Sequence, residues 1–255
     1  MELDGKVFIL TGAASGIGKE LFKILSKKPI KIAAIDLSFP ENFLDNSASA
    51  QIVLLNYDLS QPNAIDELFE KTLNLWGKID VFVANAGFAY YEKIEEANWE
   101  RIEKIYQVNT FSPIYSLLKM KELNKGRDFY VCITASAMAK MGLAGYALYG
   151  ATKAALDRFA DAYWQENARK PNHLGLVYPV ATRTNFFKQA GKNAPIYFPN
   201  QTAEKVAQSI YKGILKRKKK IYPSLLFTIS YFFGFLQECL NKPYQWYAQS
   251  LFKKK

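Results

Sequence analysis

Tyr149 and Lys153 stand four residues apart in the run Tyr149-Gly150-Ala151-Thr152-Lys153. On a helix, that spacing puts a phenol and an ammonium on one face, a turn apart. A free phenol ionises at about pH 10, too high for a base at neutral pH. A neighbouring cation favours the phenolate, so the pair is a tunable proton donor and acceptor. Tyr146 competes for that role, but the residue four positions on is Gly150, which supplies no ammonium. Ser136, thirteen residues before Tyr149, offers a hydroxyl to hold an oxygen while the proton moves.

A second constellation lies near the start, Thr11-Gly12-Ala13-Ala14-Ser15-Gly16-Ile17-Gly18. An apolar run, Val7-Phe8-Ile9-Leu10, precedes it and a helix-spaced pattern follows. A glycine turn between strand and helix lets the backbone approach a diphosphate, and the helix N-terminus supplies free N–H groups. The competing reading is a bare structural turn. Asp36 ends the second apolar run, eighteen residues after Gly18. A carboxylate there accepts both hydroxyls of an adenosine ribose and repels a 2′-phosphate. Leu37 follows it rather than an arginine, and Ser15 stands where a cation could have met that phosphate. The expectation is NAD rather than NADP, with a simple strand cap as the alternative role of Asp36. The two constellations together point to hydride exchange with a nicotinamide cofactor.

These residues need a scaffold. Apolar runs at 6–11, 31–36, 51–56, 79–84, 129–134, 173–178 and 220–222 read as strands. Helical spacing is predicted over 16–28, 61–76, 99–122, 147–167 and 202–216. Short apolar strands alternating with amphipathic helices imply a doubly wound α/β fold, its mostly parallel seven-stranded sheet covered on both faces. Nothing divides residues 1–222, which are read as one domain, with a basic and aromatic helical tail over 223–255. Inside the long helix, Asn109 is followed four residues later by Pro113, which has no N–H. The Asn109 carbonyl therefore loses its helical partner. It is free either to hold a water on a proton path near Lys153 or merely to mark a kink.

In order along the chain, Thr11-Gly12-x-x-x-Gly16-x-Gly18, Asp36, Asp58, Asn85-Ala86-Gly87, Asn109, Ser136 and Tyr149-x-x-x-Lys153 resemble the short-chain dehydrogenase/reductase family over residues 5–222. The resemblance implies a Rossmann-like fold and a catalytic tetrad. Tyr149 would be the acid/base and Ser136 would orient the carbonyl. Lys153 would lower the phenol pKa and bind the nicotinamide ribose, and Asn109 would hold a relay water. It also implies cofactor contacts from Gly12, Ser15, Gly16, Ile17 and Gly18, from Asp58 with Leu59 at the adenine, and from Asn85, Ala86 and Gly87. Beyond the sixth strand the family shows Pro-Gly and then a threonine. Here Pro179 and Thr184 match as cofactor contacts, but Val180 replaces the glycine and reduces backbone freedom beside the ring. Family members commonly pair through the helices at 100–122 and 147–167, so a homodimer or homotetramer is expected.

Other chemistries fare poorly. His173 is the only histidine, and the cysteines Cys132 and Cys239 form no metal pattern with it. A Ser-His-Asp hydrolase finds no matching residues near Ser136. Two cysteines and no signal-like start suit a reducing, cytoplasmic compartment.

The substrate is read from the aromatics. Phe186 and Phe187, with Met138 and Tyr146 beside Ser136 and Tyr149, form a candidate substrate pocket for an apolar alcohol or ketone. The net charge of +11 is uneven, because residues 212–255 hold ten cations and one acid, Glu238. That concentration argues against a nucleic-acid surface, which spreads its cations over a groove. Leu225, Leu226, Ile229, Phe232, Phe233, Leu236 and Leu240 recur at helical spacing, too short a run for the roughly 20 residues that span a bilayer. The tail is expected to meet the inner face of an anionic membrane peripherally, with an oligomer interface or a lid as the alternatives. The leading reading is an NAD-dependent dehydrogenase or reductase for a lipophilic alcohol or ketone. The alternatives are a non-catalytic dinucleotide sensor on a membrane and a soluble biosynthetic ketoreductase with an oligomerising tail.

Overall fold

The apolar runs form seven parallel strands: β1 (Val7–Thr11), β2 (Lys31–Asp36), β3 (Gln51–Asn56), β4 (Val81–Ala84), β5 (Tyr130–Thr134), β6 (Leu174–Val177) and the short β9 (Lys220–Ile221). They lie in the order β3-β2-β1-β4-β5-β6-β9, every neighbouring pair parallel. This computed structural model describes residues 1–44, 48–169, 171–191, 194–233, 243–247 and 250.

Strand alternation assigns each face its own core. Phe8, Leu10, Ile32, Val81, Val83 and Cys132 point to one side and pack with α1 (Gly16–Leu25) and α7 (Ala203–Leu215). Ile9, Ile35, Phe82, Val131, Ile133 and Leu176 point to the other. There they meet α2 (Ala64–Trp76), α4 (Ser112–Leu123) and α5 (Ala147–Glu166). Burial on both faces is why the strands read as continuous apolar runs rather than alternating ones. The architecture is the doubly wound, Rossmann-like sheet expected from the sequence.

Several boundaries differ from the sequence reading. The long helix over 99–122 is three pieces: α3 (Trp99–Tyr106), a π-helical turn at Gln107–Phe111, and α4. The Ser112 N–H bonds back to the Gln107 carbonyl, five residues earlier, just before Pro113. The expected kink is thus a π-bulge, a common form of local widening next to a missing donor. Two further strands, β7 (Ala181–Arg183) and β8 (Asn200–Thr202), form a separate small parallel sheet with α6 (Phe186–Ala190) between them. Of the tail, α8 (Leu225–Phe232) and a helical segment at 243–247 are described. The expected apolar positions Leu236 and Leu240 lie outside the described residues. No helix among the described residues is long and apolar enough to cross a membrane.

Candidate active site

The sheet order reverses direction between β1 and β4, and ligand clefts in open α/β sheets form at such a point, beyond the carboxyl ends of the strands. Hydrogen bonds knit three strand ends there. The Thr11 hydroxyl accepts from the N–H groups of Asn85 at 3.0 Å and Ala86 at 3.1 Å. The Asn85 amide donates to the Gly12 carbonyl at 3.3 Å, and its oxygen accepts from the Thr134 hydroxyl at 3.2 Å. The rim that carries the glycine turn, Asn85-Ala86-Gly87 and Ser136 is thereby one hydrogen-bonded unit.

Above this rim lies a cavity of about 770 Å³. At one end it is lined by Gly12, Ser15, Gly16, Ile17, Asp36, Asp58 and Leu59. Gly12 and Gly16 have φ of +67° and +52°, a region that L side chains rarely adopt. A Cβ at Gly12 would also lie 2.9 Å from the Ala86 Cα. Gly18 serves differently. It does not line the cavity, and a Cβ there would sit 1.8 Å from the Gly12 carbonyl oxygen, so its role is close packing of α1 against the turn. The first turn of α1 contains no acid and Ser15 makes no side-chain cap, leaving its N–H groups available to an anion. Asp36 receives the N–H of Ala14 and of Leu37, each at 2.8 Å, while still facing the cavity. It therefore both braces the turn and presents a carboxylate. Burial pushes the Asp58 carboxyl up, but hydrogen bonds from Ser60 and the Lys104 charge hold it below its usual range.

At the other end stand Ser136, Tyr149 and Lys153, with Gly87, Pro179 and Thr184 beside them. Lys153 is almost fully buried, donates to the Thr134 carbonyl at 2.8 Å, and lies 5.8 Å from the centroid of the Tyr149 ring. Burial pushes the Tyr149 phenol up to about 12, opposed by a hydrogen bond with Ser136, and pushes the Lys153 ammonium down to about 7. In the protein alone both side chains are thus driven toward neutrality. The sequence reading, in which the ammonium favours the phenolate, did not include this desolvation.

Asn109 is fully buried and does not line the cavity. Its side chain brackets one residue of the cavity wall: Oδ1 accepts from the Phe88 N–H at 3.1 Å, and Nδ2 donates to the Phe88 carbonyl at 2.8 Å. Nδ2 also donates to the Thr152 hydroxyl at 3.2 Å. Tyr146 is likewise behind the wall. Its ring packs 6.2 Å from that of Tyr149, and its hydroxyl has no hydrogen-bond partner among the described residues. Met138, Phe186 and Phe187 do line the cavity, with Phe88, Met141 and Leu143 adding apolar surface. Val180 also lines it without a positive φ, so a β-branched residue fits where the resemblance implied glycine.

Sequence reasoning missed the aromatic cluster behind Tyr149, in which Tyr91 packs 5.0 Å from Tyr146 and Tyr197 packs 6.3 Å from it. No spacing along the chain links those three rings. It named Thr11 only as the start of the glycine motif, not as the hydroxyl that ties it to Asn85 and Ala86. It also missed Thr134, whose strand-end position shortly before Ser136 was the available signal.

Comparison with known proteins agrees with this geometry. Residues 6–195 match the family described as short chain dehydrogenase. Versicolorin reductase from Emericella nidulans is 24% identical over 78% of this chain and 76% of its own length. A hydroxynaphthalene reductase-like protein from Metarhizium robertsii is 26% identical over 83% of this chain and 80% of its own. Among solved structures, a short-chain dehydrogenase/reductase from Burkholderia phymatum in complex with NAD superposes with a TM-score of 0.76 at 17% identity, covering 93% of each chain. One from Sphingobium yanoikuyae in complex with NADPH also reaches 0.76, at 20% identity, covering 92% of this chain and 95% of the other. The chain belongs to the short-chain dehydrogenase family. It is an oxidoreductase of that family.

Proposed function

We propose that this protein interconverts a lipophilic alcohol and ketone with NAD(H), and that Tyr149 exchanges the proton. The observation that carries the reading is the convergence of Ser136, Tyr149 and Lys153 in the same cavity as the glycine turn and Asp36. A dinucleotide fits the residues present: Gly12 and Gly16 clear space at an uncapped helix N-terminus, and Asp36 presents a carboxylate where a ribose would lie. When bound, the nicotinamide supplies or accepts the hydride. Asp36, with exposed Leu37 after it, favours NAD over NADP by repelling a 2′-phosphate.

The chain's own groups then divide the work. Ser136 holds the substrate oxygen, and Tyr149 gives or takes the proton at that oxygen. Lys153 binds ribose hydroxyls. The diphosphate's negative charge and those hydrogen bonds favour its ammonium, which in turn draws the phenol down from its raised value. Asn109 fixes the wall at Phe88 with its side chain and leaves its main-chain carbonyl for a relay water. Apolar Met138, Met141, Leu143, Phe186 and Phe187 favour an apolar substrate over a charged one.

Residues 1–222 act as the catalytic domain and 223–255 as a tail, of which Leu226, Ile229 and Tyr244 line the cavity. Phe111, at the end of the π-helical turn, and Tyr115 and Leu118 on α4 are exposed at i, i+4 and i+7 spacing, which supports pairing with a second copy. The test is turnover of purified full-length protein on a panel of long-chain, aromatic and polycyclic ketones with NADH and NADPH. Tyr149→Phe should lose about a hundredfold or more in kcat while still binding NADH. Equal turnover by this variant would remove Tyr149 from the chemistry.

A further inference from the structure

Three segments that line the cavity or adjoin its lining turn apolar side chains outward. On α8, Leu225, Leu226 and Ile229 are exposed, and so is Phe233 just after it. At about 100° per residue these four fall within roughly a 100° arc, a single stripe. Phe227 on the opposite side is buried in the main core, so the helix is anchored while its apolar stripe faces out. Across the opening, Phe198 is 72% exposed and yet lines the cavity, as do Leu226 at 60% and Ile229 at 45%. Lining residues that reach solvent mark the mouth. The helical segment 243–247 borders the same mouth. Its Tyr244 lines the cavity and its Gln245 donates to the Gly142 carbonyl at 3.0 Å. Trp246 in that segment is 71% exposed.

Charge decides between occupants of such a patch. Among the described residues of 181–203 and 224–250, the charged side chains are Arg183 and Lys188, both exposed, with no acid. By sequence alone, 212–255 carries ten cations against one acid. A second copy docking here by twofold symmetry would bring like charges together, at a cost. An anionic bilayer meets both features at once. Its headgroups attract the cations, and the interfacial region accepts Leu, Phe and Trp side chains to a shallow depth.

We infer that this apolar face, in a net-basic part of the chain, docks on an anionic lipid surface with the cavity mouth against it, so that the substrate enters from the membrane rather than from water. The route of entry rests on the proposed oxidoreductase reading, but the docking does not. Flotation of the full chain with phosphatidylcholine vesicles, with and without phosphatidylglycerol, tests the docking. Binding should require phosphatidylglycerol and weaken about tenfold or more in Leu225→Glu/Phe233→Glu, a pair outside the cavity lining. NADH binding by that variant should be unchanged, which also reports that it is folded. Its KM for a vesicle-dissolved ketone should rise severalfold, while that for a water-soluble ketone stays put.

Three results would overturn the inference: no flotation of the native chain, flotation unaffected by the two glutamates, or a dimer that those glutamates dissociate. Flotation without turnover of any ketone would instead sink the oxidoreductase substrate reading and leave the lipid surface standing.

Discussion

Lys140 donates to the Asp157 carboxylate at 2.8 Å, and both side chains are buried. Lys140 lies four residues after Ser136, and Asp157 lies one turn past Lys153 and two past Tyr149 on α5. The same carboxylate accepts from the Tyr178 hydroxyl at 2.7 Å and from Arg158 at 2.6 Å. Tyr178 immediately precedes Pro179 at the end of β6. One buried acid therefore ties together the three segments that carry Ser136, the Tyr149–Lys153 face and the Pro179 loop.

Asp157→Asn keeps the shape and removes the charge, leaving Lys140 buried without a counter-ion. Breaking a buried pair in this way costs about 3 kcal/mol, read as a lower urea midpoint. Ser136 and Tyr149 should also lose their mutual register, so kcat should fall more than KM rises. Burial pushes the Asp157 carboxyl up, but hydrogen bonds from Arg158, Lys140 and Tyr178 outweigh it and hold it below the ordinary 3.8. The native state then binds this proton less readily than the unfolded chain does. The stabilisation is complete above the ordinary value and is lost as pH falls below it, through the lowered native value. The variant should lack that component of acid unfolding.

Lys153 gives the opposite sign. Burial lowers it from 10.5 to about 7, so between those values the unfolded chain holds a proton that the native chain has released. Its contribution to stability therefore rises with pH across that window, and the penalty is greatest below it. Lys153→Met should raise the unfolding free energy by about 2 kcal/mol near pH 6, despite losing the bond to the Thr134 carbonyl. The gain should shrink as pH approaches 10. Activity should disappear at every pH, the expected exchange between stability and function at a desolvated site. Urea titrations across the pH range check the trend.

Both behaviours show where sequence legibility stops. The central strands of the main sheet were legible because residues buried on both faces leave continuous apolar runs, whereas β9, two residues long, was placed by its position after the last helix. Strands β7 and β8, of three residues each and partly polar, leave no such signal. The pieces that line the cavity were legible from spacing: a glycine turn, strand-end Ser136, and one helical face holding Tyr149 and Lys153. The Asp157 clamp was not, because Lys140, Asp157 and Tyr178 come from separate elements and meet only in the fold. Nor was the direction of the Tyr149 shift, since burial is a property of the packed structure. Gly18 was read with its neighbouring glycines as a cofactor contact, but its missing Cβ makes room for the Gly12 carbonyl.

Asp36 offers a test of cofactor preference. Asp36→Ala with Leu37→Arg removes the charge that repels a 2′-phosphate and supplies one that attracts it. The ratio of kcat/KM for NADPH over NADH should rise by about a hundredfold, some tenfold from each side. Asp36 also receives the Ala14 N–H at 2.8 Å, so the variant should lose about 1 kcal/mol of stability as well. A native enzyme that already used NADPH better would contradict the proposed preference.

Asn109 and Pro113 separate the two roles that one residue has been given. The Asn109 side chain holds the N–H and carbonyl of Phe88, and Asn109→Ala leaves these groups without that partner. The expected loss is about 2–3 kcal/mol of stability together with activity, which by itself does not distinguish bracing from proton relay. Pro113→Ala does distinguish them. It leaves the Asn109 side chain intact but supplies an N–H four residues after its carbonyl, allowing the π-helical turn to relax toward an α-helix. If that carbonyl serves the proposed proton route, kcat should fall about tenfold, with stability unchanged or higher and NADH affinity preserved. Unchanged kcat, with a helix gain seen by circular dichroism, would leave Asn109 as a brace for Phe88 alone.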